Sequence, residues 1–145
     1  MTETAAANEI VITRVFDAPR EELWAAWTTP ERLARWWGKR GWNTPVESVT
    51  VDPRPGGVFR LNSISAADGR EMPMDARFRE VVEPERLVLG PPDEDGTVTT
   101  VSFTDLGEGR TEMVFRSIVE MSDELRASAR GGVASAFDRL EELLA

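Results

Sequence analysis

The chain has 145 residues, 41% of them hydrophobic and 30% charged, which fits one globular domain built around a single core. It contains no cysteine and no histidine, so disulfides, thiolate metal sites and nucleophiles activated by histidine are all excluded. The formal net charge of -9 opposes binding to nucleic acid, and no apolar run approaches the roughly 20 residues that a membrane-spanning helix needs.

The start of the chain is predicted to lie outside the folded part. Met1–Asn8 has neither the basic start nor the apolar core of a signal peptide, so a cytoplasmic location is expected. Residues 1–9 are predicted to be frayed, and residues 10–145 to form one domain. In that domain Ile10–Phe16, rich in β-branched residues, is predicted as the first strand, which Asp17-Ala18-Pro19 ends.

Two short helices are predicted next. Pro19 fits the first turn of the first helix, where a fixed φ and a missing N–H are tolerated. Thr29 is the expected cap of a second helix that begins at Pro30 and ends at Gly38. The apolar faces of the two helices consist of Leu23, Ala26, Trp27, Leu33, Trp36 and Trp37.

The middle of the chain is predicted to be all strands and turns. Dense turn signals at Asp52–Gly57, Ala67–Arg70 and Glu83–Glu85 separate the strands, Gly90–Gly96 is predicted as an exposed loop, and Leu106–Gly109 as a hairpin turn. The predicted strands are Val46–Val51, Val58–Ile64, Met72–Val82, Arg86–Leu89, Val98–Thr104 and Thr111–Val119. Alternation along the third of these places Met72, Met74, Ala76 and Phe78 on one face.

A long helix is predicted over Ser122–Ala145. Ser122 is its expected N-cap, and Asp123 and Glu124 lie in the first turn, where carboxylates favour the positive end of the helix dipole. Its apolar stripe consists of Leu125, Ala129, Val133, Ala136, Phe137, Leu140 and Leu144. A sheet with one polar face must bury the other, so the chain is predicted to be an α+β domain whose antiparallel sheet this helix covers.

Six motifs in this order resemble those of the bacterial proteins related to the activator of Hsp90 ATPase, which belong to the START-like, or SRPBCC, superfamily. The motifs are Arg14–Pro19, Leu23–Trp27, Trp36-Trp37-Gly38, Asp52–Gly57, Phe78–Val82 and Glu83–Val88. The resemblance implies a helix-grip fold, in which a curved antiparallel sheet wraps around the long C-terminal helix, with two short helices after the first strand. It also implies a deep, mostly apolar cavity between sheet and helix.

The sequence departs from that family in two respects. Relatives commonly carry Gly-Trp in the final helix, where this chain has Gly132-Val133. A large ring that lines the cavity would then be replaced by a small side chain. The Hsp90 co-chaperones of the family use an additional N-terminal domain, which no segment here is expected to supply.

The candidate ligand-binding residues are the aromatic and methionine side chains expected to face the helix. Trp36 and Trp37 are candidates for a lid, and Trp42, in a loop bounded by Gly and Pro, is the tryptophan expected to face solvent or a ligand. The predicted wall consists of Phe59, Met72, Met74, Phe78, Phe103, Met113, Phe115, Val133 and Phe137. The same residues would also suit a solid core, and both readings stay open.

No catalytic residue, metal site or cofactor is predicted. Asp75, Arg77 and Arg79 are expected to form an outer-face charge ladder with Arg60, while Asp93–Asp95, Asp105 and Glu108 fit solvated loops and turns. No two acids are predicted to converge inside the cavity, and Glu47 and Asp52, near its mouth, are the remaining candidates for acid–base chemistry. The glycine-rich Pro53–Gly57 precedes a strand rather than a helix, so it is predicted to be a turn and not a phosphate loop.

Three functions follow as hypotheses. The first is binding of a small hydrophobic molecule in the cavity, without catalysis. The second is an enzyme of the polyketide cyclase or aromatase kind, because that chemistry occurs on the same fold. The third is a chaperone-linked interaction module, as the family name implies. A monomer and a homodimer are both compatible with the sequence.

Overall fold

The computed structural model describes residues 9–92, 98–118 and 122–145. Its strands are β1 Glu9–Phe16, β2 Trp42–Asn43, β3 Thr50–Val51, β4 Val58–Ser65, β5 Glu71–Val82, β6 Arg86–Gly90, β7 Thr99–Gly107 and β8 Arg110–Ile118. Its helices are α1 Arg20–Thr28, α2 Pro30–Trp36 and α3 Asp123–Leu144, with one 3-10 turn at Val46–Ser48. All the strand pairs are antiparallel, in the order β1-β8-β7-β6-β5-β4-β2, and β3 also pairs with β4.

The long helix α3 lies across the inner face of this sheet and is attached near both of its margins. Its predicted cap is confirmed, because the Ser122 hydroxyl accepts a hydrogen bond of 3.2 Å from the Leu125 amide. On the β1 side, Arg14 Nη1 lies 2.6 Å from an oxygen of Asp138. On the opposite side, the Arg40 amide donates to the Ser135 hydroxyl at 3.0 Å. The architecture is therefore the predicted helix-grip fold.

The short helices α1 and α2 fill one end of the inner face. Trp24 of α1 meets Phe103 of β7 edge to face, with ring centroids 6.2 Å apart. The indole nitrogen of Trp36 donates to the Ala26 carbonyl at 2.9 Å, which joins the two helices to each other. Burying each such ring contributes on the order of 1.5–3 kcal/mol, so this end of the domain is a stable core.

The outer face of β4 and β5 carries charge, as predicted. Asp75 pairs with Arg77 at 2.5 Å and with Arg60 on the neighbouring strand at 3.4 Å. The hydrogen bond from Arg77 holds the pKa of the Asp75 carboxyl below its ordinary value. The register shifts between Phe78 and Glu80, which returns Val81 to the inner face opposite Leu87. The exposed ion pairs of Asp75 with Arg77 and Arg60 contribute little stability and serve mainly to keep this face polar.

The predicted strand at Val46–Val51 is wrong in its first half. The Pro45 carbonyl accepts bonds from both the Ser48 amide, at 3.0 Å, and the Ser48 hydroxyl, at 2.7 Å. These local bonds close a 3-10 turn in place of a sheet ladder, so that only Thr50–Val51 pairs as a strand. The two-residue strand Trp42–Asn43 was not predicted, because two residues show no periodicity.

Some boundaries differ from the prediction or fall outside the described residues. The hairpin strands extend to Gly107 and from Arg110, which leaves Glu108 and Gly109 as a two-residue turn. Residues 1–8, most of the Gly90–Gly96 loop and Val119 lie outside the described part of the chain, whereas Glu9 already belongs to β1. No helix within the described residues is both long and apolar enough to cross a membrane.

Replacing Glu108 by asparagine is expected to stabilise the protein by about 0.5–1 kcal/mol. Glu108 has a φ of +57° and Gly109 a φ of +73°, and asparagine tolerates that region better than glutamate. Urea denaturation of Glu108→Asn measures the gain. Gly109→Ala is the control and is expected to destabilise, because it adds a Cβ at a positive φ. Equal loss in both variants would contradict this account of the turn.

Candidate functional site

The predicted lid and wall residues fall into two groups in the structure. Six of them are completely buried. With their neighbours they form a solid core, which was the alternative to a ligand-binding wall. These six are Trp36, Phe59, Phe78, Phe103, Met113 and Phe137. Four others, Trp37, Met74, Phe115 and Val133, are only half-buried, and Met72 is 58% exposed.

The partly exposed residues lie just after α2 and on β5, β8 and α3, at the margin of the buried core. Phe115 packs on Phe137 with ring centroids 5.4 Å apart, and Val133 precedes Phe137 by one helical turn. Trp37 packs on Phe59 at 5.4 Å. Two positions along β4 from Phe59, Leu61 pairs with Met74 of β5. We call Trp37, Met72, Met74, Phe115 and Val133 the open end.

Burial along α3 changes at the open end. The stripe is buried from Ala136 to Leu140, where Phe137 is 1% and Leu140 0% exposed. Ala129 is only half-buried, and Leu125, at the start of the stripe, is 61% exposed. The first turns of the helix therefore present apolar side chains that the sheet does not cover. Leu125 was predicted to be part of the buried stripe, and that prediction is wrong.

Arg139 attaches α3 to the segment that follows α2. Its Nη1 donates to the backbone carbonyls of Trp37, Gly38 and Trp42 at 3.1, 2.8 and 3.2 Å. Its Nη2 donates to the backbone carbonyl of Arg35 at 3.0 Å. Burial lowers the pKa of this guanidinium from its ordinary value, and the neighbouring Arg40 lowers it further. This role could not be predicted, because Arg139 lies among charged residues on the predicted polar side of the helix.

The expectation that Trp42 would be the accessible tryptophan is wrong. Its side chain is 8% exposed. Lys39 Nζ lies 5.6 Å and Arg70 Cζ 5.7 Å from the centre of its ring, which is the range of cation–π contacts. Trp42 thus underlies two cationic side chains, and Trp37 is the half-buried tryptophan of the open end.

An ion pair lies on the inner face, where Arg14 of β1 donates to Asp138 of α3 at 2.6 Å. From β4 to β8, the buried inward positions in the described ranges carry apolar, serine or threonine side chains. Glu47 is exposed, and Asp52 accepts a hydrogen bond of 2.6 Å from Arg54 Nε in the turn before β4. Asp105 accepts from the Gly107 amide at 2.8 Å, within the hairpin, while Asp93–Asp95 lie outside the described residues.

A separate pocket of about 390 Å³ opens on the surface beside the start of α1. Its lining consists of Arg20, Glu85, Arg86, Ser102, Phe103, Thr104 and Asp105. Two arginines and two acids balance their charges there, and Arg86 Nε already donates to Glu80 at 2.8 Å. This polar pocket does not suit an apolar ligand.

Comparisons with known proteins agree with the fold. Residues 17–145 match the family profile described as activator of Hsp90 ATPase homolog 1-like protein. No curated protein matches the chain. A protein from Rhodobacter sphaeroides gives a TM-score of 0.81 at 25% identity, over 98% of this chain and 95% of that one. A protein from Nitrosomonas europaea gives 0.82 at 23% identity, over 99% and 97%. An AHSA1-like protein from Aeromonas hydrophila gives 0.76 at 22% identity, over 93% of each chain.

Proposed function

The chain belongs to the activator of Hsp90 ATPase homolog 1-like family, and from that premise we propose that it binds a small hydrophobic molecule at the open end. One observation carries the proposal. Apolar side chains on the inner sheet and on α3 stay partly exposed there, although their neighbours on the same elements are completely buried. A guest that covers Met72, Met74 and Val133 would gain about 25 cal/mol for each Å² of apolar surface removed from water.

The chemistry of the open end suits an irregular apolar guest. Met72 and Met74 are flexible and polarisable, so they adapt to ligands of different shape. Trp37 and Phe115 offer flat apolar rings, and both are backed by other buried rings that hold them in place. Val133 stands where relatives commonly carry the larger tryptophan, which leaves more room on the helix side.

The two alternatives have less support. A cyclase or aromatase would need an ionisable group that is free to act on its substrate. Arg14 on the inner face already pairs with Asp138, and Asp105 of β7 accepts a hydrogen bond from the Gly107 amide. A chaperone-linked module would need a continuous apolar patch on the outside. Of the exposed apolar side chains, Val15 and Ile118 lie at opposite ends of the paired strands β1 and β8, where they face Glu112 and Glu9 in the register, and Leu106 lies near the end of β7.

Replacing Val133 by tryptophan is expected to abolish binding while changing the free energy of unfolding by less than about 1 kcal/mol. Val133 is half-buried beside the open end, so the new ring fills the guest's space without overpacking the core. Binding of fatty acids, sterols and polyphenols is measured by tryptophan fluorescence and by thermal shift.

Val15→Trp is the matched control, because it places the same ring on the outer side of β1, where Val15 is 43% exposed. It is expected to leave binding unchanged. The proposal is wrong if none of the molecules binds the unaltered protein. It is also wrong if Val133→Trp unfolds the protein, since that would mean the space is already filled.

A further inference from the structure

Lys39 lies at the rim of the open end. It follows Gly38 in the segment that Arg139 attaches to α3, two residues after Trp37. Its Cδ is 3.9 Å from the position that a Cβ on Gly132 would occupy, next to Val133 on the helix. Its Nζ lies 5.6 Å from the centre of the Trp42 ring. The ammonium group is therefore positioned between α3 and the edge of the sheet, two residues after Trp37 in the chain and beside the helical turn that carries Val133.

Within the described residues, Lys39 has no acidic partner, in contrast to the cations around it. Arg70, over the same ring, pairs with Asp68 at 2.8 Å. Arg40 pairs with Glu142, and Arg139 is engaged by four backbone carbonyls. The contact with Trp42 holds the Lys39 ammonium in place but does not neutralise it. A chain with a net charge of -9 thus keeps an unneutralised cation at this rim.

Lys39 is also the only lysine in the chain, and the other sixteen of the seventeen basic residues are arginines. A lysine ammonium is a compact point charge on a flexible stem, which can follow a headgroup in several orientations. Its apolar stem lies along α3 toward the open end while the charge stays in water.

We propose that the guest of the open end is an amphiphile with an anionic headgroup, which pairs with Lys39 while its apolar chain covers Met74, Phe115 and Val133. This inference rests on the proposed function and adds the class of ligand. An anion at the rim remains partly hydrated, so little desolvation opposes the pairing. A cationic headgroup would be repelled by Lys39 and Arg70, which lie over the Trp42 ring.

Three probes with the same chain test the headgroup: dodecanoate, dodecan-1-ol and dodecyltrimethylammonium. The unaltered protein is expected to bind dodecanoate at least tenfold more tightly than the other two, and added salt should reduce that preference. Lys39→Met keeps the length of the stem and removes the charge. It is expected to weaken dodecanoate at least tenfold and to leave dodecan-1-ol within twofold. Arg54→Met, on the exposed turn before β4, is the control and should change neither affinity.

A direct readout uses the single lysine. Reductive methylation with ¹³C-formaldehyde preserves the charge and gives one side-chain dimethylamine resonance, from Lys39. That resonance is expected to shift when dodecanoate is added and to stay in place when dodecan-1-ol is added. Equal affinity for the two probes, with no effect of Lys39→Met, would overturn the headgroup assignment and leave the apolar site intact. No binding of either probe would overturn the proposed function and this inference with it.

Discussion

Gly57→Ala is expected to have the largest effect of any single methyl group added to this protein, with a loss of about 4 kcal/mol or more in the free energy of unfolding. A Cβ at Gly57 would lie 1.9 Å from the Asp52 carbonyl oxygen and 2.9 Å from that of Arg54. Both are backbone atoms, so no rotation of a side chain relieves the overlap. The Gly57 carbonyl also accepts a bond of 2.9 Å from the Phe78 amide, which ties the turn to β5. Relief of the clash would thus disturb the start of β4.

The neighbouring Gly56→Ala is the matched control. Gly56 has a φ of +83°, and nothing lies within 4 Å of its added Cβ. Gly56→Ala is therefore expected to lower the free energy of unfolding only by the cost of placing alanine in a left-handed conformation, about 1–2 kcal/mol. Urea unfolding followed by circular dichroism compares the two variants. If both lose the same amount, backbone conformation and not the carbonyl overlap explains the need for glycine in this turn.

Arg139→Met is expected to lower the free energy of unfolding by about 3 kcal/mol. The variant keeps most of the apolar stem and removes the donors to four carbonyls between Arg35 and Trp42. Those carbonyls lie near the surface and regain some water, which limits the loss. Because the same segment positions Trp37 and Lys39, dodecanoate binding is expected to weaken as well. Denaturation and fluorescence titration measure the two effects.

Two further variants distinguish this role from the general effect of losing an arginine. Arg139→Lys keeps the charge but concentrates it in one ammonium, so it should recover only a small part of the stability. Arg32→Met removes an exposed arginine that pairs with Glu22 at 3.1 Å, and it is expected to cost less than about 1 kcal/mol. A loss at Arg139 as small as that at Arg32 would show that the carbonyl contacts do not support the fold.

Most of the fold could be predicted because its signals are local. The cap at Ser122, the alternation in β5 and the turn at Glu83–Glu85 each depend on neighbouring residues, and the structure agrees with them. The strand predicted at Val46–Val51 is wrong in its first half because the Ser48 hydroxyl donates to the Pro45 carbonyl, and this local bond favours a turn over the strand that the β-branched residues favour.

The site was harder to predict because it depends on distances between elements. Met72 and Phe78 have the same parity on β5, yet one is mostly exposed and the other is buried. The difference arises from which part of the strand lies beneath α3 and the short helices, and periodicity contains no information about that. Trp42 was misjudged for a related reason: Lys39 and Arg70, which cover it, are distant from one another in sequence.

The increase in burial along α3 affects both the rate of amide hydrogen exchange and the rate at which a ligand enters and leaves. Its first turns can open locally at a free energy well below that of global unfolding, whereas the amides around Phe137 and Leu140 are released only when the whole domain unfolds. Hydrogen–deuterium exchange should therefore accelerate toward the N-terminal turns of the helix. A molecule could enter and leave by way of that fraying segment on the timescale of local fluctuations, without disturbing the tryptophan-rich half of the protein.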